Sequence, residues 1–203
     1  MLFRSLSNPV VVITFPHQIF GCFMVGGAFV AGVATWHLLR RRTAEDPQEL
    51  SAFRSAARIG AVTLIIAGIG VGVTGDLQGK VMYQVQPMKM AAAEALYETE
   101  QPASFSVLTI GSLDGSRELF SIKVPYVLSF LSTGTLDGEV QGIRELQAAY
   151  EATYGPGTYS PDVPLAYWTF RAMITTGMTG AALGVLLLGY LRGGRPAPRW
   201  ARL

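Results

Sequence analysis

The sequence predicts an all-α membrane protein with three transmembrane helices and a long, partly helical extracytoplasmic loop. Hydrophobic residues make up 50% of the 203 residues, and they are concentrated in three blocks instead of being spread as in a soluble core. These blocks are residues 13–39, 57–75 and 166–191, and none of them contains Asp, Glu or Lys. Each block is long enough to cross a hydrocarbon core of ~30 Å as a helix.

The three blocks divide the chain into seven segments. They are an N-terminal segment (1–12), a transmembrane helix (13–39), a cytoplasmic loop (40–56), a second transmembrane helix (57–75), the extracytoplasmic loop (76–165), a third transmembrane helix (166–191) and a cytoplasmic tail (192–203). A cleaved signal peptide is a poor alternative for the first block, which is too long and lacks a small-residue cleavage site. The only cysteine, Cys22, lies within that block, so the sequence contains no disulfide framework.

The charged residues predict how the chain is oriented in a bacterial plasma membrane. Residues 76–165 hold five basic residues against eleven acidic ones. The other connections are rich in arginine, namely Arg40, Arg41, Arg42, Arg54, Arg58, Arg192, Arg195, Arg199 and Arg202. Because cytoplasmic loops are enriched in Lys and Arg, we expect these ends inside and residues 76–165 outside. The net charge of +2 averages the two sides, and no nucleic-acid partner is expected.

The second span is rich in glycine. Gly68 and Gly72 form a G-x-x-x-G pair, and small residues let helix backbones approach closely in lipid. We therefore expect this helix inside a bundle, packed against partner helices. A G-x-G-x-x-G match at residues 70–75 has no preceding strand, so a dinucleotide site is not expected there.

The outer loop is predicted to be folded. Pro87 suits the first turn of a helix, and the MKMAAAEALYE that follows is rich in strong helix formers. A second helix is predicted in GIRELQAAYEATYG, where Ile143, Leu146 and Tyr150 share one face and a Gly-Pro-Gly sequence ends it. Between these helices, VLTIGS and SIKVPYVLSFL favour short strands or packing on the membrane surface.

The first predicted loop helix carries the candidate catalytic residues. Lys89 and Glu94 lie five residues apart, which on a helix is a rotation of about 140°, so they flank a face without stacking. Glu94 and Glu98 would share a face, and their repulsion would make one of them hold a proton more readily. Such a carboxyl group suits proton acceptance from a substrate hydroxyl. The alternative is a solvated helix surface that carries charges.

Three polar residues are expected near the outer boundary at similar depth: His17, Asp76 and Arg171. His17 is interpreted as an axial haem ligand or as a hydrogen-bonded histidine near the interface. Arg171 could neutralise a haem propionate, or it could extend outward to water. His37, at the inner edge, is expected to be an interfacial residue. The shared depth of the three outer residues predicts one site.

At these residues the chain resembles a known family. The runs GDLQGKVMYQVQPMKMAAAEALYETE, VPYVLSFL, GIRELQ and YWTFR resemble subunit I of the cytochrome bd quinol oxidases, in the actinobacterial form with a short quinol loop. The resemblance covers about residues 9–192. It implies that the loop oxidises quinol at the outer face, with Lys89 and Glu94 matching the implicated lysine and glutamate. It also implies that His17, in FPH, ligates the low-spin haem b that takes the electrons.

The resemblance also implies what this chain would need from elsewhere. Family members are longer, and their GRQPW signature and further haem-ligating histidine and methionine have no counterpart here. We therefore expect a central fragment or one half of a split subunit, which alone would not reduce oxygen. Its partners would be menaquinol or ubiquinol, the remaining helices of subunit I, subunit II and membrane lipid. The other haem b and the haem d of the complete enzyme would be bound mainly by parts outside this chain. A different class remains open: a non-catalytic membrane protein whose outer loop binds a partner.

Overall fold

Three long helices and a small folded loop make up the part of the chain that the structure describes. The computed structural model describes residues 8–40, 47–112 and 115–192. The long helices are α1 (Pro9–Arg40), α2 (Pro47–Val85) and α6 (Val163–Arg192), and each is long and apolar enough to cross a membrane. This confirms the predicted fold class. The intervening elements are α3 (Pro87–Glu94), β1 (Phe105–Gly111), β2 (Glu118–Val124), α4 (Val127–Thr133) and α5 (Ile143–Tyr154).

The long helices extend beyond the predicted apolar spans. α2 has 39 residues, which at 1.5 Å per residue gives about 58 Å, well above the ~30 Å hydrocarbon core. Much of the predicted inner loop and the first residues of the outer loop are therefore helical. α2 gives way to α3 at Pro87, because a proline disfavours helical backbone in the residue before it. The predicted inner-side residues Arg41, Arg42, Arg195, Arg199 and Arg202 lie outside the described residues.

The chain divides into two compact units. The first, here called the loop unit, comprises Met1–Ile13 and Gly75–Met173, and the second, the helical unit, comprises Thr14–Thr74 and Ile174–Leu203. The described parts of the helical unit are the bulk of α1, the first part of α2 and the end of α6. The loop unit contains the hairpin and the three short helices.

Small residues bring the helices of the helical unit together. A Cβ atom on Gly60 of α2 would lie 2.6 Å from the backbone nitrogen of Ala31 and 2.8 Å from the carbonyl oxygen of Gly27. α2 also approaches α6 closely, because a Cβ atom on Gly68 would lie 2.7 Å from the Cβ atom of Ala181. The predicted close approach is therefore confirmed at Gly68. At Gly72 an added Cβ would have no described heavy atom within 4 Å, so close packing there stays a prediction.

The loop unit is folded around α3. On one side, Met88, Ala91 and Ala92 pack in a buried cluster with Ile143 and Leu146 of α5. On the other side, Met90 packs in a second cluster, with Leu96, Ala103, Leu128 and Val140. A helix of eight residues is not stable alone in water, so these two clusters are what hold α3 in place. The prediction of a folded loop is confirmed.

α3 ends earlier than the sequence predicts. Ala95 adopts a left-handed conformation with φ 50°, and its N–H group bonds to the carbonyls of Ala91 and Ala92. Because the turn is made by an alanine and not by a glycine, the sequence carries no stop signal here. The prediction that Glu94 and Glu98 share a helix face is therefore wrong. Glu98 is exposed and accepts a bond from Arg144 at 2.6 Å.

The other predicted elements of the loop are confirmed in part. Ile143 and Leu146 form the buried face of α5, which ends before Gly155 at a φ of 97°. VLTIG lies in β1 and SIKV in β2, and the two strands pair as an antiparallel hairpin. The strand prediction is wrong for the rest of the second run, because VLSFL forms α4. The register of the hairpin shifts between Ser106 and Leu108.

Substitution of Gly60 should destabilise the helical unit. Gly60→Ala places a methyl group against backbone atoms of α1, and overpacking of this kind typically costs about 1–3 kcal/mol. The check is the thermal unfolding midpoint of the detergent-solubilised protein. Gly72→Ala is the matched control, because the same methyl group meets open space in the same helix. Equal midpoints for the two variants would contradict the close contact at Gly60.

Candidate functional site

The loop unit buries a carboxyl group at the end of α3. Glu94 is only 3% exposed, and its Oε2 accepts a hydrogen bond from Nη2 of Arg171 at 2.5 Å. A carboxylate at a helix C-terminus opposes the helix dipole, so this position is unfavourable without a cation beside it. Burial raises the pKa of Glu94 above its ordinary value, and the hydrogen bond and charge of Arg171 act in the opposite direction. The interpretation of Glu94 as part of a solvated charged surface is wrong.

The side chain of Arg171, in the first part of α6, is buried within the loop unit. It is 9% exposed, and its Nε and Nη2 atoms donate to the carbonyl oxygen of Ser106 at 3.0 and 2.7 Å. Its guanidinium carbon lies 4.5 Å from the ring centroid of Phe105 and 4.7 Å from that of Tyr167, distances typical of cation–π contacts. The alternative in which Arg171 extends outward to water is therefore wrong.

The Glu94–Arg171 pair retains two open hydrogen-bonding atoms. Nη1 of Arg171 is buried and has no partner among the described residues. The hydrogen bonds described for Glu94 use only Oε2, which leaves Oε1 as an open acceptor. An unpaired buried polar group is costly. The pair thus offers one donor and one acceptor to a ligand that carries oxygen atoms.

Lys89 lies on a different face of α3 from Glu94. It is exposed, and no ion pair or hydrogen bond joins it to another described residue. The structure therefore does not bring the two predicted catalytic side chains into contact. Near the end of α2, Lys80 pairs with Oδ2 of Asp76 at 2.5 Å, and Oδ1 of Asp76 is buried without a partner among the described residues.

His17 belongs to the helical unit, where it meets Thr74. Its Nδ1 lies 3.1 Å from Oγ1 of Thr74, and that hydroxyl donates in turn to the carbonyl oxygen of Gly70 at 2.7 Å. Since the hydroxyl proton is used on Gly70, Thr74 accepts the proton of Nδ1, which leaves the lone pair on Nε2. This is the arrangement that metal-ligating histidines adopt. His17 is therefore hydrogen-bonded, as one interpretation held, and also fits an axial haem ligand.

Two further predictions for the site concern His37 and the common depth of His17, Asp76 and Arg171. His37 stacks on Phe53 with ring centroids 4.4 Å apart, and its interfacial role stays a prediction. His17 lies in the helical unit, whereas Asp76 and Arg171 lie in the loop unit. One site at a common depth likewise stays a prediction.

The sequence is similar to those of known membrane oxidase subunits. The family model for cytochrome bd terminal oxidase subunit I matches residues 2–203. The chain belongs to this family. It is 38% identical over 186 residues to a cytochrome bd ubiquinol oxidase subunit 1 of Bacillus subtilis, which covers 90% of this chain. It is 37% identical over 142 residues, or 70% of this chain, to a cytochrome bd-II ubiquinol oxidase subunit 1 of Escherichia coli.

A solved structure of the family shares the fold. The bd oxidase from Geobacillus thermodenitrificans superposes with a TM-score of 0.72 and 24% identity over 96% of this chain. The chain spans 40% of that chain, and 38% and 26% of the two curated relatives. Cytochrome bd oxidases are bacterial membrane proteins that carry haems, in agreement with the three apolar helices found here.

Several residues of the site were missed from the sequence. Ser106 and Thr74 are small hydroxyl residues in apolar runs, and nothing local distinguishes them from ordinary packing. The partnership of Glu94 and Arg171 joins residues 77 positions apart, so no local pattern contains it. Tyr167 had a usable signal, because it lies four residues before Arg171 in YWTFR and thus on the same helix face.

Removal of Arg171 should cost far more stability than removal of an exposed arginine. Arg171→Gln leaves Glu94 buried without its cation, a change that typically costs about 3–5 kcal/mol. Arg144→Gln is the control, because the side chains of Arg144 and Glu98 are 55% and 68% exposed and exposed pairs contribute only about 0–1 kcal/mol. The free energy of unfolding in detergent measures both. Equal losses would show that the buried pair is not needed for folding.

Proposed function

We propose that this chain carries the quinol-oxidising site of a membrane quinol:oxygen oxidoreductase of the cytochrome bd type in a respiratory chain. Glu94 accepts a proton from a quinol hydroxyl, and Lys89 orients a quinol oxygen. The main support is the buried Glu94 carboxyl group, which is held by Arg171 and has Oε1 open. Family membership supports the reaction class, and the oxidation of quinol by this chain is the part that is proposed.

The environment of Glu94 suits a general base. A base works best when its pKa lies near the operating pH, and burial moves the pKa of Glu94 upward in that direction. Arg171 keeps the ionised form accessible, because its guanidinium stabilises the carboxylate at 2.5 Å. Oε1 is then the oxygen that meets the substrate hydroxyl.

Lys89 contributes from the exposed side of α3. Its ammonium group stands on a flexible four-carbon stem, so it can reach a quinol oxygen at the protein surface without a fixed contact in the free protein. Protons that leave Glu94 would pass to the outer side, in keeping with the predicted extracytoplasmic position of residues 76–165. The quinol would be menaquinol or ubiquinol.

His17 and Arg171 are the proposed haem-binding residues. Nε2 of His17 would ligate the iron of a low-spin haem b, with Nδ1 held by Thr74, and the open Nη1 of Arg171 suits a propionate oxygen. The haem, when bound, would supply the electron acceptor for quinol oxidation. The other haems, subunit II and the remaining helices of subunit I would be further partners of this chain in the complete oxidase.

The first test is a comparison of two carboxyl groups four residues apart. In membranes that contain the assembled oxidase, Glu94→Gln should lower quinol oxidation about 10²–10⁴-fold, the usual contribution of a positioned base. Glu98→Gln should change the rate little, because Glu98 is exposed and paired with Arg144. Lys89→Ala should also slow quinol oxidation, because it removes the group that orients the quinol oxygen. Since Lys89 has no partner among the described residues, the change should leave the fold of the loop intact.

The pH dependence follows from the raised pKa of Glu94. A base must be ionised to act, so the wild-type rate should rise with pH as Glu94 loses its proton, and Glu94→Gln should lack this rise. Full activity in both Glu94→Gln and Lys89→Ala would refute the proposal and favour a loop that binds a partner.

The second test is spectroscopic. His17→Ala should abolish the low-spin haem b signal in reduced-minus-oxidised spectra of the assembled oxidase, because the free Nε2 is lost. His37→Ala is the control, since its ring is stacked on Phe53. An unchanged haem b spectrum in His17→Ala would remove His17 from the haem site.

A further inference from the structure

β1 contains an irregularity that aims two polar side chains in the same direction. Residues of a regular strand alternate between faces, so residues three apart point to opposite sides. Ser106 and Thr109 are nevertheless both buried, at 2% and 1% exposure, and their hydroxyl oxygens are 2.5 Å apart. The register shift between Ser106 and Leu108 explains this, because one extra residue at a bulge reverses the alternation beyond it.

The two aligned residues surround the hydroxyl group of Tyr167. The backbone N–H of Thr109 donates to the Tyr167 oxygen at 2.6 Å, and Oγ of Ser106 lies 2.9 Å from the same oxygen. Tyr167 is 2% exposed. Its hydroxyl group therefore ties β1 to α6 through two contacts that are shielded from water.

Arg171 binds the same short stretch of β1. Tyr167 and Arg171 are four residues apart and share one face of α6, and the guanidinium lies over the Tyr167 ring. The carbonyl group of Ser106 accepts two bonds from Arg171, while its side chain contacts Tyr167. Any shift of β1 relative to α6 would therefore move the acceptor that orients the guanidinium.

We propose that Tyr167 is a positioning residue, whose hydroxyl group fixes β1 against α6 and so holds the guanidinium of Arg171 on the carboxylate of Glu94. The inference rests on the proposed role of Glu94 as the base in quinol oxidation. Tyr167 acts through Arg171 and is not itself required to touch the quinol. Its loss should therefore change how readily Glu94 ionises.

Arg171 is the charged side chain bound to Glu94 from the elements around it. On β1, Ser106 and Thr109 offer uncharged hydroxyl groups. On α5, Arg144 is bonded to Glu98 and Glu145 to the backbone of Thr99. Two tyrosines, Tyr97 and Tyr167, are buried in the cluster that packs on α3, at 7% and 2% exposure, and Tyr150 and Tyr159 pack against it. If the guanidinium of Arg171 is held less firmly against Glu94, it stabilises the carboxylate less. The pKa of Glu94 is therefore expected to rise.

The test is the pH profile of quinol oxidation by the assembled oxidase. Tyr167→Phe keeps the ring beneath Arg171 and removes only the hydroxyl group, so the acid limb of the kcat profile should move to higher pH by roughly half a unit or more. Tyr150→Phe is the matched control, because Tyr150 packs against the same cluster and its contacts with other described residues are ring contacts, without a hydrogen bond from its hydroxyl group. A purely structural role would lower the amount of haem-containing oxidase without moving the limb.

The outcomes distinguish the positioning role of Tyr167 from the catalytic role of Glu94. If Glu94→Gln abolishes activity and Tyr167→Phe leaves the acid limb in place, the positioning role is wrong and the catalytic role stands. If Glu94→Gln is fully active, the catalytic role itself fails. Should Tyr167→Phe fail to assemble, Ser106→Ala decides the question, because it removes a hydroxyl contact to Tyr167 and keeps the carbonyl that binds Arg171. An acid limb unmoved by Ser106→Ala would then overturn the inference.

Discussion

The loop unit depends on the neutralisation of one buried charge. Glu94 can remain at the end of α3 because Arg171 reaches it from α6, 77 residues further along the chain. The same guanidinium binds the backbone of β1 at Ser106. Arg171 of α6 thus binds both α3 and β1. The two buried apolar clusters hold α3 in place as well.

Such a pair is an expensive way to hold a loop together. Removing two charges from water costs free energy that the ion pair only partly recovers, and well-packed apolar residues often serve stability better. The aromatic rings around Arg171 reduce this cost through cation–π contacts but leave Nη1 unsatisfied. A buried pair that is both costly and incompletely bonded is typical of sites adapted for chemistry.

The sequence predicted the larger features because they depend on local composition. The three apolar spans, the folded loop and α5 follow from hydropathy, helix formers and a Gly-Pro-Gly stop. The sequence also singles out Glu94, but it predicts a continuous helix to Glu98, whereas the helix ends in a turn made by Ala95. The pairing with Arg171 and the role of Thr74 depend on contacts between distant segments. A G-x-x-x-G pattern likewise predicts close packing without naming the partner, and the contact of Gly68 is with Ala181 of α6.

The bulge in β1 has a consequence for how this region tolerates changes in length. In a regular strand, a gained or lost residue turns every side chain beyond it to the other face. At the bulge, the loss of Val107 would instead place Ser106 and Thr109 two residues apart in a regular strand, where both still face Tyr167. In an alignment of related chains, a one-residue gap at Val107 should therefore be tolerated, whereas an added residue there would turn Ser106 and Thr109 to opposite faces; the Val107 side chain itself is half exposed and its identity is free to vary.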